Sequence, residues 1–161
     1  MIVRAPNRTS KRAADEFVRK HEAWIQKKKE QLALRKAEAE AAPRLSEEEL
    51  GELAGQAAKV IPERVRYYAG LMGAQYGRIT LRCQKTRWGS CSAKKNLNFN
   101  ILLMLTPPEV LDSVVVHELC HLWEMNHSAR FYERVHAFFP EYDRWNRWLK
   151  ENGHTILARR G

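Results

Sequence analysis

The sequence predicts an α+β fold in which a small sheet lies beside a buried central helix. Helix-forming residues with apolar positions at helical spacing fill residues 10–40 and 46–71. Apolar and polar residues then alternate from residue 79 to residue 83, which is typical of a half-buried strand. Residues 111–122 are apolar around almost the whole helical circumference, as in a helix that is buried on every side.

The N-terminal part is predicted to be helical. Residues 10–40 form one long helix, which ends before Pro43. A second helix begins after Ser46, because Ser46 and Glu49 form a capping box that satisfies free backbone N–H groups. Pro62 either kinks this helix or opens a further turn that runs to about Leu71, and Gly70, Gly73 and Gly77 end the helical region.

Three strands are expected next, at residues 79–83, at residues 87–92 and within residues 96–105, which also hold a buried apolar run. Gly89 indicates a bulge or a place where another group approaches the backbone closely. We expect a small, mainly antiparallel sheet that packs on the central helix.

The central helix has a predicted start at Thr106, where Thr106 caps it, Pro107 occupies the first turn and Glu109 completes the cap. Two amphipathic helices follow, at about residues 128–138 and 141–151.

Composition narrows the class of protein. The chain of 161 residues fits one domain with its own core. No apolar stretch is long enough to cross a bilayer and no signal peptide opens the chain, so we expect no membrane association. Three cysteines without CxxC pairs predict a reducing, cytoplasmic setting.

The formal net charge of +9 is concentrated in residues 1–44, which include Lys27, Lys28 and Lys29. We interpret this stretch as a basic N-terminal helical segment that precedes the core at residues 45–161. Its charge suits a solvated helix surface or a contact with nucleic acid. The solvated surface is the simpler interpretation, because no nucleic-acid-binding motif accompanies the charge.

The central helix carries the motif His117-Glu118-Leu119-Cys120-His121. Residues four apart lie on one helix face, so His117 and His121 can bind one metal ion. Glu118 lies beside them, within reach of a water on that ion. This HExxH pattern is typical of zinc hydrolases, and it predicts Zn²⁺ as cofactor and Glu118 as general base.

His127 is the predicted third ligand. It lies ten residues beyond His117, so the chain must turn to bring it back to the ion. Asn126 tolerates the left-handed conformation that ends helices, and Ser128 can cap the next helix. Two carboxylates remain alternative third ligands: Glu124 and Glu133.

Other side chains near the motif have weaker claims. Cys120 lies on the same helix but points away from the histidines, which favours a buried core residue over a ligand. Three residues could stabilise the oxyanion of a tetrahedral intermediate, although a packed core position suits the last two equally well: Arg130, Tyr132 and His136.

Several motifs together resemble the YgjP-like family of zinc metallopeptidases, which is similar to SprT-like and WLM proteins within the wider zincin fold. The resemblance starts at about residue 12 and rests on Arg87–Cys91, Asn96–Asn100, residues 107–111, Val116–His121 and Asn126–Ser128.

The resemblance implies a minimal zincin, in which N- and C-terminal helices surround a small sheet on the metal helix, with residues 45–161 as the catalytic core. It also implies an edge strand within residues 87–100 that pairs with extended substrate. The implied zinc ligands are His117, His121 and His127, with Glu118 as catalytic base.

Two features depart from related patterns. Glu124 stands where metzincins have a glycine that bends the chain, which argues against that group. Relatives carry a strand-rich segment before the first helix, to which only Met1–Pro6 corresponds, so we expect a short version of the fold or a fragment.

The leading hypothesis is a metallopeptidase that acts on cytoplasmic peptides or proteins. One alternative is a metal-dependent hydrolase of nucleotides or other phosphorylated molecules, although no phosphate-binding glycine loop is present. Another is a DNA-associated protease or binding module similar to SprT-like proteins.

Overall fold

A computed structural model describes residue 6 and residues 8–160, and within them the predicted α+β class is confirmed. Met1–Pro6, the expected strand remnant, lies outside the described residues except for its last residue. No described helix is both long and apolar enough to span a membrane. The elements are α1 (Lys11–Lys20), α2 (Glu22–Ala41), α3 (Glu47–Met72), β1 (Ile79–Arg82), β2 (Gly89–Cys91), β3 (Leu97–Asn100), a 3-10 helix (Ile101–Leu105), α4 (Pro108–Cys120), α5 (Ala129–Phe138) and α6 (Tyr142–Ala158).

The prediction of one helix over residues 10–40 is wrong, because the backbone breaks at His21 between α1 and α2. The His21 ring stacks on Phe17 and donates from Nδ1 to the Phe17 carbonyl at 2.8 Å. Helical spacing does not report such a local side-chain contact. The C-terminal part of α2 packs on α6, where His154 Nε2 lies 2.8 Å from Glu38 Oε2. The division at residue 44 stays a prediction.

The predicted capping box at the start of α3 is confirmed. Ser46 Oγ accepts a hydrogen bond from the backbone of Glu49, and Glu49 Oε2 accepts one from the backbone of Ser46. α3 continues through Pro62 and ends at Gly73, whose φ of 62° is the left-handed conformation that favours glycine. The result is a helix of 26 residues that packs along α4.

The sheet has the order β1-β3-β2 and is mixed rather than mainly antiparallel. β2 runs antiparallel to the central strand β3, but β1 runs parallel to it. The alternation of apolar residues reports which face is buried and does not report strand direction, so this detail of the prediction needs correction. β2 is left as an edge strand, and the apolar run after β3 is the 3-10 helix rather than more strand.

α4 is buried on almost every side, as predicted. Ten of its 13 residues are buried, and it contacts α3, β2, α5 and α6. The predicted cap is wrong, because the Thr106 hydroxyl donates to the Leu103 carbonyl at 2.8 Å instead of capping α4. Pro107 occupies the cap position and α4 begins at Pro108.

An ion pair fixes α3 against α4. Arg64 donates from Nε and a terminal nitrogen to the two carboxylate oxygens of Asp112, at 2.7 and 2.6 Å. Tyr68 donates its hydroxyl to the same carboxylate at 3.2 Å. Because Asp112 is buried within α4, these donors satisfy a charge that would otherwise be costly.

Replacing Arg64 by alanine should lower the free energy of unfolding by about 1–3 kcal/mol, because it leaves the buried Asp112 with one weak partner. Urea denaturation measures the change. Arg66→Ala is the matched control, since Arg66 is exposed on the same helix, and it should change stability by less than about 0.5 kcal/mol. Equal losses in the two variants would contradict the assignment.

Candidate metal centre

The end of α4 and the loop after it bring the motif residues together. His117 and Glu118 lie in the last turn of α4, and His121 follows that helix directly. The chain then forms a tight turn, in which the backbone N–H groups of Leu122 and Trp123 donate to carbonyls three residues earlier. The predicted left-handed turn at Asn126 is wrong, since Lys95 is the only described non-glycine residue with positive φ.

Three imidazole nitrogens converge at this point. His117 Nε2 lies 3.2 Å from His121 Nε2 and 3.1 Å from His127 Nε2. The histidines form the metal-compatible cluster found among the described residues, with their ligand atoms within 4.8 Å of one another. A zinc–nitrogen bond is about 2.0–2.1 Å long, so two ligands of one ion lie at most roughly 4.2 Å apart. The two separations from His117, of 3.2 and 3.1 Å, meet that limit.

The hydrogen bonding of His121 determines where its proton lies. Its Nδ1 is 2.9 Å from the backbone carbonyl of Glu124, which can only accept, so Nδ1 carries the hydrogen. In the neutral ring Nε2 then has a free lone pair directed at His117. Lone pairs at this distance repel each other unless a cation or proton lies between them.

His117 is held from its other side by Tyr142. His117 Nδ1 donates to the Tyr142 hydroxyl at 2.8 Å in the tautomer that leaves Nε2 free. Burial, followed by the charges of His121 and His127, lowers the pKa of His117 to about 3. The ring is therefore neutral at physiological pH, as a metal ligand must be.

Phe131 forms the floor beneath all three histidines. Its ring centroid lies 4.9 Å from those of His117 and His127 and 4.6 Å from that of His121. Phe131 is fully buried on α5, so it fixes the imidazoles through packing.

The alternative ligands lie elsewhere. The Glu124 carboxylate pairs with Arg130 at 3.5 Å, and Glu133 is exposed on α5. Neither belongs to the cluster of ligand atoms found among the described residues. Cys120 is fully buried in the core, and burial raises the pKa of its thiol to about 12.

Glu118 is buried directly beside the histidines. Only 5% of its surface is exposed, and burial raises the pKa of its carboxyl group to about 8. Its Oε2 has no hydrogen-bond partner among the described residues. A buried polar atom without a partner is costly, so a functional role is one explanation for its place beside the histidines.

Gly89 explains how Glu118 fits beneath the sheet. A Cβ atom at position 89 would lie 2.6 Å from Glu118 Oε1 and 2.7 Å from its Cγ. The predicted close approach at this glycine is therefore confirmed. The backbone of β2 runs directly over the carboxylate.

Two cavities meet at Glu118. The first, of about 210 Å³, extends away from His127 and is lined by Arg87, Trp88, Gly89, Ser113, Val114, His117, Glu118, Tyr142, Asn146 and Leu149. The second, of about 260 Å³, opens in front of the cluster and is lined by Arg87, Gly89, Ser90, Cys91, His117, Glu118, His121, Met125 and His127. The edge strand β2 forms one wall of the second cavity.

None of the three oxyanion candidates lines either cavity. Arg130 is bound to Glu124, and His136 Nε2 lies 3.3 Å from an oxygen of Asp143. Tyr132 stacks beside His127, with ring centroids 6.1 Å apart. Tyr132 is thus the candidate that reaches the edge of the cluster.

Sequence reasoning missed two supporting residues, Tyr142 and Asn100. Asn100 is almost fully buried, and its side-chain amide donates to the carbonyls of Gln84 and Arg87, both at 2.8 Å. Its backbone N–H donates to the Trp88 carbonyl at 2.8 Å. An asparagine at a buried position of a strand was the available indication. No comparable indication existed for Tyr142, because its helical spacing also fits an ordinary core residue.

Comparisons with known proteins agree with this geometry. The YgjP-like metallopeptidase domain matches residues 51–152, which is more than half of the chain. The fold is similar to that of the metallopeptidase zymogen abylysin of Pyrococcus abyssi, at 20% identity and a TM-score of 0.52. It is similar to the zymogen jannalysin of Methanocaldococcus jannaschii, at 23% identity and the same TM-score. Each match covers 58% of this chain and 96% of the other.

No curated protein matches the chain. The structural likeness confirms the predicted zincin-like fold, and the matched domain confirms the predicted enzyme class. A metallopeptidase acts on peptides or proteins with a metal cofactor, and neither alternative function is favoured. The chain belongs to the YgjP-like metallopeptidase family.

Proposed function

We propose that this chain is a zinc-dependent peptidase in which His117, His121 and His127 hold the ion and Glu118 is the general base. The convergence of three Nε2 atoms beside a buried carboxylate carries the proposal. Three protein ligands that leave one position open are typical of catalytic zinc sites. The free lone pair of His121 and its close approach to His117 support the same donor set.

When bound, the cation supplies a water of lowered pKa and polarises the scissile carbonyl. Glu118 accepts a proton from the attacking water and delivers it to the leaving amine nitrogen. Burial raises the pKa of Glu118, and a carboxylate in a dry site is a stronger base than one in water. The positive charge of a bound cation would favour the ionised form that this role needs. Tyr142 and the Glu124 carbonyl keep the His117 and His121 rings oriented.

The open edge of β2 provides a place for substrate. One side of β2 pairs with β3, and its other backbone groups are available to an extended peptide. Ser90 and Cys91 line the same cavity as the three histidines. A peptide paired with β2 would therefore run past the proposed metal and Glu118.

We also propose a cytoplasmic location. All three cysteines are free thiols, as is usual in a reducing compartment: Cys83, Cys91 and Cys120.

Replacing Glu118 by glutamine should lower kcat for peptide cleavage by about 10²–10⁴-fold, because the amide cannot accept the proton. The variant should still bind one zinc ion per chain, as measured by elemental analysis. Glu133→Gln, at an exposed position of α5, should retain activity. Peptidase activity that survives in Glu118→Gln would contradict the general-base role.

Replacing His127 by alanine should weaken zinc binding by more than about 100-fold, because even losing an outer hydrogen-bond partner of a ligand costs 10–100-fold. Competition with a chromophoric chelator measures the affinity. His154→Ala is the control, since His154 lies on α6 and pairs with Glu38. Unchanged affinity in His127→Ala would show that another residue completes the site.

Replacing Gly89 by alanine should reduce kcat by more than about tenfold, because the new methyl group displaces the Glu118 carboxylate and misplaced groups cost such factors. Gly55→Ala is the control, since nothing lies within 4 Å of a Cβ there. That variant should keep full activity and gain about 0.5–1 kcal/mol of stability. Equal activities in the two variants would exclude a catalytic effect of the close approach.

A further inference from the structure

We infer that Arg87 binds a carboxylate of the peptide substrate on the leaving-group side of the scissile bond. The enzyme would then prefer acidic peptides to otherwise identical neutral ones. This inference rests on the proposed peptidase function and names the class of substrate for that site.

The position of Arg87 is the first argument. Arg87 lines both cavities that meet at Glu118, and no other lysine or arginine in the described part of the chain lines either of them. Its side chain is exposed, so it can contact a bound molecule. A substrate in either cavity would meet this guanidinium.

The distribution of charge is the second argument. Residues 73–108, which include the whole sheet, contain no aspartate or glutamate. Among the residues that the structure describes, none of the cations in this stretch forms an ion pair. A surface with one sign of charge raises the local concentration of oppositely charged ligands. The cations are Arg78, Arg82, Lys85, Arg87, Lys94 and Lys95.

The rigidity of the backbone at Arg87 is the third argument. Asn100 donates to the Arg87 carbonyl and to the Trp88 carbonyl, from its side chain and its backbone respectively. Trp88 in turn packs on Gly153, where a Cβ would lie 3.0 Å from the indole ring. The guanidinium therefore extends from a fixed base, and its planar fork suits a carboxylate better than a lysine would.

The leaving-group side follows from the place of Glu118. The cavity of about 210 Å³ is lined by His117 and Glu118 but by neither His121 nor His127, so it extends beyond the general base. Glu118 delivers its proton to the leaving amine, and the residues that follow this amine therefore lie on the same side. Apart from Arg87 and Glu118, this cavity is lined by apolar and uncharged polar side chains and His117, with Trp88, Val114 and Leu149 as apolar walls.

The carboxylate has two possible sources, a side chain or the C-terminus of the peptide. The test uses quenched fluorescent peptides that share one cleavable core and differ after the scissile bond. In one set of peptides, Glu, Gln or Lys occupies each of the two positions that follow the scissile bond. A second set has a free or an amidated C-terminus at the same distance. kcat/KM is measured with the zinc-loaded full chain at low and high salt.

We expect a free carboxylate to raise kcat/KM about two- to fivefold over its neutral counterpart at low salt, as for an exposed ion pair of good geometry. The preference should weaken at high salt. The ratio of kcat/KM for the acidic peptide to that for the neutral peptide should fall to about one in Arg87→Gln. In Arg87→Glu the enzyme should instead prefer the peptide with lysine. Arg82→Gln, which alters an exposed cation of the same sheet outside both cavities, should keep the preference.

The set that responds identifies the source of the carboxylate. Cleavage that ignores the substituted charge, or a preference that survives in Arg87→Gln, overturns this inference while leaving the peptidase proposal intact. Cleavage of no peptide defeats the peptidase proposal itself. If an oligonucleotide inhibits cleavage through Arg87 and the peptides show no preference, the acidic-peptide assignment is wrong and the cation serves a nucleic acid.

Discussion

The site depends on the close approach of three imidazole rings, whose Nε2 atoms the fold holds together. The Glu124 carbonyl fixes the proton of His121 on the far nitrogen, and the Tyr142 hydroxyl holds the far nitrogen of His117. Phe131 packs beneath all three rings. These contacts fix the rings before any ligand arrives, so folding carries the cost of bringing the donors together. A cation that binds there meets donors that need no reorganisation.

The fold also holds Glu118 in an unfavourable environment. An unpaired carboxylate on a helix buried on almost every side is unfavourable, and its pKa of about 8 reflects that burial. The fold tolerates it because position 89 has no side chain, which lets β2 cover Glu118 without a clash. The Arg64–Asp112 pair is the contrasting case on the same helix, since that buried charge is fully matched. Helix α4 therefore carries one buried carboxylate whose partners are complete, Asp112, and one with an unpartnered oxygen, Glu118.

The sequence predicted those features that depend on spacing within one element. Helical period identified α4 as buried, and the motif placed His117 and His121 on one face with Glu118 beside them. The three histidines do lie together, and their role as ligands stays a prediction. Features that depend on contacts between elements were missed. The direction of β1 depends on its pairing with β3, which lies far along the chain. The hydrogen bond between Tyr142 and His117 and those from Asn100 to Gln84 and Arg87 also join residues far apart in sequence. At the broken helix the His21 ring donates to the Phe17 carbonyl, and at the wrongly predicted cap the Thr106 hydroxyl donates to the Leu103 carbonyl. Neither contact can be read from helical spacing.

In the proposed enzyme, recognition and chemistry belong to different elements that are in contact at Gly89. α4 supplies the proposed base and two of the histidines, whereas β2 and the loop before it supply the open edge and Arg87. The two elements meet where the backbone of Gly89 lies on the Glu118 side chain. A chain paired with the free edge of β2 would lie about 4.8 Å from that strand. The register of the pairing alone would then bring one peptide bond beside the carboxylate, and any side chain at position 89 would move both elements apart together.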